Sequence, residues 1–230
     1  DSNDKVEEYW NGDKEKNKLR ASYFGIGDLS VSRDHSLLGY SLDLNGSEYY
    51  TIHVRDIFTN EPVTEKIEET SGSILFSLDD KYIFYSKLDK NHRPRKIFRH
   101  ELGTSTKNDL LIFEEKSEAF TVGIGLSSDE KYYFITSSDH NTSEQYYFAV
   151  NETKPQPKLM QKREKGIIYS INSWGGYFYM HTNKGAEDFK IDKTNDISFV
   201  KWESYIPAKD ETLIGGLTFL NNWIIRSEVT

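Results

Sequence analysis

Residues 77–85 read Ser77-Leu78-Asp79-Asp80-Lys81-Tyr82-Ile83-Phe84-Tyr85, a polar turn followed by a run of aromatic and β-branched residues. Ser and Asp side chains bond to nearby backbone groups and therefore favour turns. Aromatic and β-branched residues favour strands. Because the apolar stretch Ile74-Leu75-Phe76 precedes the turn, this part of the sequence predicts a β-hairpin with a polar tip.

The same pattern recurs along the chain. Its copies start at residues 32, 77, 127, 172 and 218, so that successive copies are separated by 45, 50, 45 and 46 residues. A further strand-like segment follows each of the first three copies, at residues 49–56, 96–101 and 145–150, and a turn and a short strand then lead on. Roughly four strands in every ~45 residues is the unit of a β-propeller blade.

The sequence therefore predicts an all-β fold, a β-propeller fragment of about five four-stranded antiparallel blades that repeat every ~45–50 residues. A two-sheet β-sandwich is the alternative, but it predicts irregular strand spacing. Aromatic side chains suit packing between blades, and we expect burial of Tyr85, Phe98, Tyr133, Phe178 and Trp223. Strands are expected at residues 37–42, 50–55, 82–87, 96–101, 132–137, 145–150, 177–182 and 223–228.

The repeat is absent before Ala21. Residues 1–20 are expected to form a charged lead-in segment, and residues 21–230 the blades. The run Asp13–Lys18 is typical of a solvated loop or short helix. The chain starts without Met and without an apolar signal region, so we expect it to be a fragment of a longer protein.

Composition excludes several classes of partner. The formal net charge of −8 makes nucleic acid an unfavourable partner, and no apolar run approaches the ~20 residues of a membrane span. The chain has no Cys, which excludes disulfides and thiolate metal sites and suits a reducing, cytoplasmic location.

Motifs for chemistry are missing. There is no Gly-x-Ser-x-Gly nucleophile elbow, and Gly46-Ser47 and Gly72-Ser73 read as turns. The six His show no metal-ligand spacing, and His53 and His100 occupy nearly equivalent places in their repeats, which favours structural roles. We therefore predict no catalytic, cofactor-binding or metal-binding residue and no cofactor.

Two further patterns have structural interpretations. Gly25-Ile26-Gly27 and Gly123-Ile124-Gly125 resemble the start of a phosphate loop, but neither a third Gly nor a Lys follows. The adjacent carboxylates Asp79-Asp80 and Glu114-Glu115 are not expected to act as pairs, because neighbouring residues on a strand point to opposite faces.

Several longer strings go beyond a generic blade. They include Arg99-His100-Glu101-Leu102-Gly103-Thr104, Thr142-Ser143-Glu144 and Trp202-Glu203-Ser204-Tyr205-Ile206-Pro207. From about Tyr23 to the C-terminus, their order and spacing resemble the propeller of the oligopeptidase B (protease II) family, a branch of the prolyl oligopeptidases.

The resemblance implies a seven-bladed propeller joined to an α/β-hydrolase domain with a Ser, Asp and His triad. Such enzymes cleave short peptides after Lys or Arg, and the propeller restricts access to the buried site. Only part of the propeller is matched here, and none of the triad can be carried onto this chain. The implied partners are the missing hydrolase domain and short basic peptides, and blades left open imply self-association.

Three other functions compete with this interpretation. Within the family, a prolyl oligopeptidase proper is the nearest alternative, and the Arg93-Pro94 and Arg99-His100 strings favour the basic-specific branch. A free-standing propeller that binds a protein partner would need closed terminal blades. A carbohydrate-active propeller would need facing acid pairs near its axis.

Overall fold

The computed structural model describes residues 8–230. One α-helix lies in this range, α1 (Gly12–Leu19). The side chain of Asn11 caps it by accepting from the backbone N–H of Lys14 at 3.0 Å, and Arg20 ends it in the left-handed conformation with φ of 52°. The charged run is therefore a short helix, while residues 1–7 of the lead-in segment lie outside the described residues.

The rest of the described chain is built from strands and turns, with one 3-10 turn at Thr106–Asn108. The strands are β1 (Gly25–Val31), β2 (Leu37–Asp43), β3 (Tyr50–Asp56), β4 (Ile67–Thr70), β5 (Leu75–Phe76), β6 (Tyr82–Leu88), β7 (Pro94–Glu101), β8 (Leu110–Glu114), β9 (Thr121–Leu126), β10 (Tyr132–Ser138), β11 (Ser143–Ala149), β12 (Lys158–Gln161), β13 (Tyr169–Trp174), β14 (Tyr177–Thr182), β15 (Lys190–Thr194), β16 (Glu203–Ile206), β17 (Leu213–Leu220) and β18 (Trp223–Val229).

The predicted all-β fold is confirmed, and so are all eight predicted strands. The largest differences at their ends are two residues, at the starts of β7 and β11. Each of the five repeated motifs forms the turn of an antiparallel hairpin, namely β1/β2, β5/β6, β9/β10, β13/β14 and β17/β18.

Four-stranded antiparallel groups follow one another in chain order. β9 to β12 and β13 to β16 are separate four-stranded sheets. β1 to β4 also pair in order, and a single pairing of Thr70 with Lys87 joins this group to β6. Among residues 8–230, β17 and β18 pair only with each other, so the fifth copy is a hairpin and not a full blade.

The chain divides into two compact units. Unit 1 comprises the described residues up to His92 together with Phe98–Leu110, and unit 2 comprises Arg93–Ile97 and Leu111–Thr230. The core of unit 1 consists of Ile52, Val54, Ile67, Ile74, Phe76, Ile83 and Tyr85. The apolar clusters of unit 2 include one of Phe134, Met160, Tyr169, Ile171, Phe178, Met180 and Phe199, and one of Tyr179, Ile191 and Ile214.

The burial predictions hold for most of the aromatic residues. Tyr85, Tyr133 and Phe178 are buried, and Phe98 is half-buried against the core of unit 1. The prediction for Trp223 is wrong, since 72% of its surface is exposed. Side chains alternate along a strand, and here Ile224 packs against the cluster of unit 2 while Trp223 projects from the other face of the two-stranded sheet.

The repeated turns are held by a shared pattern of side-chain bonds. The hydroxyl of Ser32 donates to Asp34 at 2.8 Å and accepts from the backbone N–H of Leu37 at 2.8 Å. Equivalent bonds link Ser77 to Asp79 and Tyr82, and Ser127 to Asp129 and Tyr132. The small polar residue at the start of each of these copies therefore closes the turn.

A second set of bonds ties one turn to the next within each unit. In unit 1, the carboxylate of Asp80 accepts from the backbone N–H groups of Arg33 at 2.8 Å and Asp34 at 3.0 Å. In unit 2, the side-chain oxygen of Asn172 accepts from the N–H of Ser128 at 2.9 Å. These bonds fix the spacing between consecutive hairpin tips.

Candidate functional site

The serines expected to lie in turns do so. Gly46 and Gly72, which precede Ser47 and Ser73, have φ of 71° and 94°, a conformation that glycine adopts without strain. The one α-helix of residues 8–230 precedes β1, so no strand in this range leads through a serine into an α-helix. The arrangement that exposes the nucleophile in a serine hydrolase is thus not found in the described part of the chain.

The Gly-x-Gly pairs lie inside strands and form no phosphate loop. Gly25 and Gly27 belong to β1, and Gly123 and Gly125 to β9. At Gly27 a Cβ atom would come within 2.5 Å of the Ser41 hydroxyl and 2.8 Å of the Tyr50 ring. Close packing between strands explains the absence of a side chain there.

The adjacent carboxylates at 114 and 115 point in opposite directions, as predicted. Glu114 is exposed and pairs with Lys96 at 3.3 Å. Glu115 is buried, accepts from the Ser137 hydroxyl at 2.6 Å and pairs with Arg163 at 2.6 Å. The two groups share no site, so they form no acid/base pair.

Arg163 organises a buried charge network in unit 2. Its guanidinium also pairs with Glu144 at 2.7 Å and covers the ring of Phe120 at 4.0 Å. Burial opposes ionisation of Glu115, but hydrogen bonds from Ser137 and from the Ser117 N–H, together with Arg163, outweigh it and lower the pKa of that carboxyl. Glu144, from the Thr-Ser-Glu string, is thus a structural partner of Arg163.

A second network, in unit 1, joins residues that are distant in sequence. The Nδ1 atom of His100 bonds to one oxygen of Asp109 at 2.6 Å, and the Tyr85 hydroxyl donates to the other oxygen at 2.7 Å. The Nε2 atom of His100 bonds to the hydroxyl of Thr64. Burial and the bond to Asp109 raise the pKa of Tyr85, which keeps its proton in this network.

The connectivity Thr64–His100–Asp109 is that of a nucleophile, a base and a carboxylate. Its surroundings do not suit catalysis, because the side chain of His100 is 0% exposed. An imidazole without accessible surface cannot exchange a proton with a substrate that binds from solvent. The network therefore satisfies buried polar groups at the junction of β7 with the loop before β4.

The other histidines also have structural surroundings. His53 stacks on Tyr40 with ring centroids 5.0 Å apart, and His181 bonds through Nε2 to the carbonyl of Ile214 at 2.7 Å. His35 and His92 occupy turns with positive φ, and His140 is exposed. Among residues 8–230, no three His, Asp or Glu side chains are grouped so that they could hold a metal ion.

The geometry thus defines the class of the protein, a β-propeller built from consecutive blades. The polar clusters described above stabilise the fold. A family model described as "Prolyl oligopeptidase, N-terminal beta-propeller domain" matches residues 15–229. The chain therefore belongs to the prolyl oligopeptidase family and is part of its N-terminal β-propeller domain.

Curated relatives agree with this placement. Protease 2 of Moraxella lacunata is 31% identical over 208 residues, which are 84% of this chain and 30% of that protein. Dipeptidyl aminopeptidase BI of Pseudoxanthomonas mexicana is 28% identical, over 90% of this chain and 29% of that protein. The chain spans about a third or less of the length of the relatives it matches.

Solved structures show the same fold. Oligopeptidase B from Trypanosoma brucei, solved in a closed form with covalently bound antipain, matches with a TM-score of 0.88 and 26% identity, over 97% of this chain and 31% of that one. Oligopeptidase B from Leishmania major matches with a TM-score of 0.89 and 19% identity, over 96% of this chain and 31% of that one.

Within residues 8–230, no helix has the length and apolar character needed to cross a bilayer.

Proposed function

We propose that this chain is the non-catalytic propeller portion of a longer serine-type peptidase of the oligopeptidase B branch. In that protein it would act as a scaffold and restrict access of substrates to an α/β-hydrolase domain. The observation that carries the proposal is the family match over residues 15–229, in relatives that are about three times longer than the chain.

The chemistry of the described residues favours a non-catalytic role as a scaffold. Acyl transfer needs a nucleophile, a base and an oxyanion site held together. The one hydroxyl–imidazole–carboxylate arrangement noted above has its imidazole fully buried at His100. A propeller filters substrates by size and charge, and filtering alone does not lower a reaction barrier.

The proposed substrates of the whole protein are short peptides cleaved after Lys or Arg. Support comes from the 31% identity to Protease 2 and from the Arg99–Thr104 and Thr142–Glu144 strings. A net charge of −8 adds a mild field that favours cationic ligands. We also propose a cytoplasmic location, which a chain without Cys suits.

The test compares this chain with the product of the complete gene. Arginyl, lysyl and prolyl fluorogenic peptides are the substrates, and a serine-reactive phosphonate is the probe. We expect turnover and labelling of the complete product with a preference for arginyl and lysyl peptides, and neither with residues 1–230 alone. Turnover that copurifies with the chain, or a complete gene that encodes a propeller without a hydrolase domain, would contradict the proposal. The second result would favour a free-standing interaction module.

We propose further that the isolated chain self-associates through β17 and β18. Trp223, Ile225 and Val229 of β18 are 72%, 51% and 64% exposed, and β18 has no partner other than β17 within the described residues. Open strand edges pair with other chains, and exposed apolar faces associate in water. The proposed partner is a second copy of the chain, because its own β17/β18 hairpin has the same open strand edge and the same exposed apolar face.

Light scattering after size exclusion tests the association. We expect the mean mass to rise with concentration, and the Trp223→Ser variant to shift the profile toward monomer. Phe58→Ser is the matched control, because Phe58 is 75% exposed but lies in unit 1. A sharp monomer peak at every concentration, or equal effects of the two variants, would rule the association surface out.

A further inference from the structure

A cavity of about 200 Å³ in unit 1 has an unusual charge for this protein. Its lining includes Lys18 of α1, His53 and Arg55 of β3, Asn60, and Lys66, and it contains no carboxylate. The whole chain has 37 acidic and 29 basic residues, so a cavity lined by three cationic side chains and no acid runs against the overall balance.

A neighbouring cavity of about 280 Å³ shows the contrast. It is lined by Lys14 and Arg55 together with Glu8 and Glu15, so its charges balance. The same helix, α1, contributes to both cavities: Lys14 and Glu15 line the balanced one, and Lys18, one turn further along, lines the other. The excess of positive charge is therefore specific to the cavity that contains Lys18.

The ion pairs of the lining show which charges are available. Arg55 is engaged, because its guanidinium donates to the carbonyl of Tyr9 at 2.8 Å and lies 3.5 Å from Glu15. Neither Lys18 nor Lys66 has a carboxylate within ion-pair distance among residues 8–230. Both lysines are exposed, so their ammonium groups are free to meet a ligand.

The pKa of His53 depends on the burial and the charges of the cavity that it lines. Its ring stacks on Tyr40, and the charged side chains that line the same cavity are Lys18, Arg55 and Lys66, with Glu15 3.5 Å from the Arg55 guanidinium. Burial, reinforced by the charge of Lys66, lowers the pKa of His53 from 6.5 to about 4. Burial disfavours charge of either sign, so the preference for an anion rests on the cationic lining, of which the contribution of Lys66 to this shift is one sign.

We propose that this cavity binds a phosphate group, either as inorganic phosphate or as a small phosphomonoester. Two uncompensated ammonium groups match the double negative charge that phosphate carries near neutral pH. Asn60 adds a polar side chain to the lining, and Tyr40, Val54 and Pro62 add apolar surface. The volume accommodates a phosphate with a small organic substituent.

The experiment follows the imidazole signal of His53 by NMR while inorganic phosphate is added at constant ionic strength, because surface charges are screened by salt. A His53→Gln spectrum identifies the signal. We expect a saturable shift at neutral pH. At saturation we also expect a rise in the pKa of His53 by about one unit, because even the singly charged phosphate present near pH 4 offsets the nearby ammonium groups. Glycerol phosphate in a parallel titration distinguishes the two sources, and saturation by either supports the site.

Three variants separate the site from general charge effects. Lys18→Gln and Lys66→Gln should each weaken binding about tenfold. Lys66→Gln should also raise the pKa of His53 without phosphate. Lys158→Gln, an exposed lysine of β12 in unit 2, makes the same change in net charge and should bind like the unchanged chain. No saturable shift with either ligand, or equal weakening by all three variants, would overturn the proposal.

Discussion

Replacing His100 with leucine is the sharpest test of how unit 1 is held together. Leucine has a similar volume, so the change removes hydrogen bonds without opening a large cavity. One oxygen of Asp109 then loses the partner that lay at 2.6 Å, and the Asp109 side chain is only 3% exposed. Leaving a buried polar group without its hydrogen-bond partner costs about 1–3 kcal/mol, and more where that group is charged. We expect His100→Leu to lose that much stability at pH 7.5, measured by urea unfolding followed by circular dichroism.

Partner variants separate the polar network from packing. Thr64→Val leaves Nε2 of His100 without its partner and should cost about 1–3 kcal/mol. In His100→Leu/Asp109→Leu no carboxyl is left without its imidazole partner, so the double variant should lose less than the sum of the two single losses, with a coupling of about 2 kcal/mol. His140→Leu, in an exposed turn, is the control and should stay within about 0.5 kcal/mol. Additive losses, or a His100→Leu variant as stable as the control, would refute the network as a source of stability.

Two further predictions follow from burial and charge. Tyr133→Ala should lower the free energy of unfolding by about 3–5 kcal/mol, because Tyr133 is 2% exposed. Phe98→Ala should lower it less, because Phe98 is only half-buried. Equal melting temperatures for both variants and the unchanged chain would contradict this. Because the pKa of His53 is about 4 in the fold and 6.5 when unperturbed, the unfolded chain takes up the proton first as pH falls, so this contribution to stability is complete above pH 6.5 and is lost toward pH 4. The free energy of unfolding from denaturant titrations should fall across this range by about 2 kcal/mol more in the unchanged chain than in His53→Gln, and parallel pH dependences would exclude the effect.

Much of the fold could be predicted from the sequence because the turns repeat. Each Ser-x-Asp motif carries its own local bonds, as Ser77 does with Asp79 and Tyr82, so the signal lies within six consecutive residues. The error at Trp223 has a different origin. A repeat predicts that a residue lies on a strand, but burial depends on which sheets cover its two faces, and β18 pairs only with β17 in the described chain. The predicted boundary at residue 20 stays a prediction.

The polar networks could not be predicted, because their members come from separate parts of the chain. Thr64 lies 36 residues before His100, and Glu115 lies 48 residues before Arg163. A partial signal was present, since His100 and Asp109 lie nine residues apart around the Leu102-Gly103-Thr104 turn. Only the pairing of strands brings these side chains together, and the local sequence does not determine which strands pair.

The bonds from Asp80 to Arg33 and Asp34, and from Asn172 to Ser128, have a consequence for how such a chain can change in evolution. In each case the donors are backbone N–H groups, which every residue except proline supplies. The contact from Asp80 therefore places no demand on the side chains of the donating turn beyond those that close it, whereas at the second contact Ser128 and Asp129 also accept from Asn172 and Ser173 through their side chains. A duplicated or recombined hairpin that carries a single such acceptor could join its neighbour without any matching change in the neighbour's side chains. Sequence drift between repeats, as between residues 32–36 and 77–81, is then compatible with constant geometry.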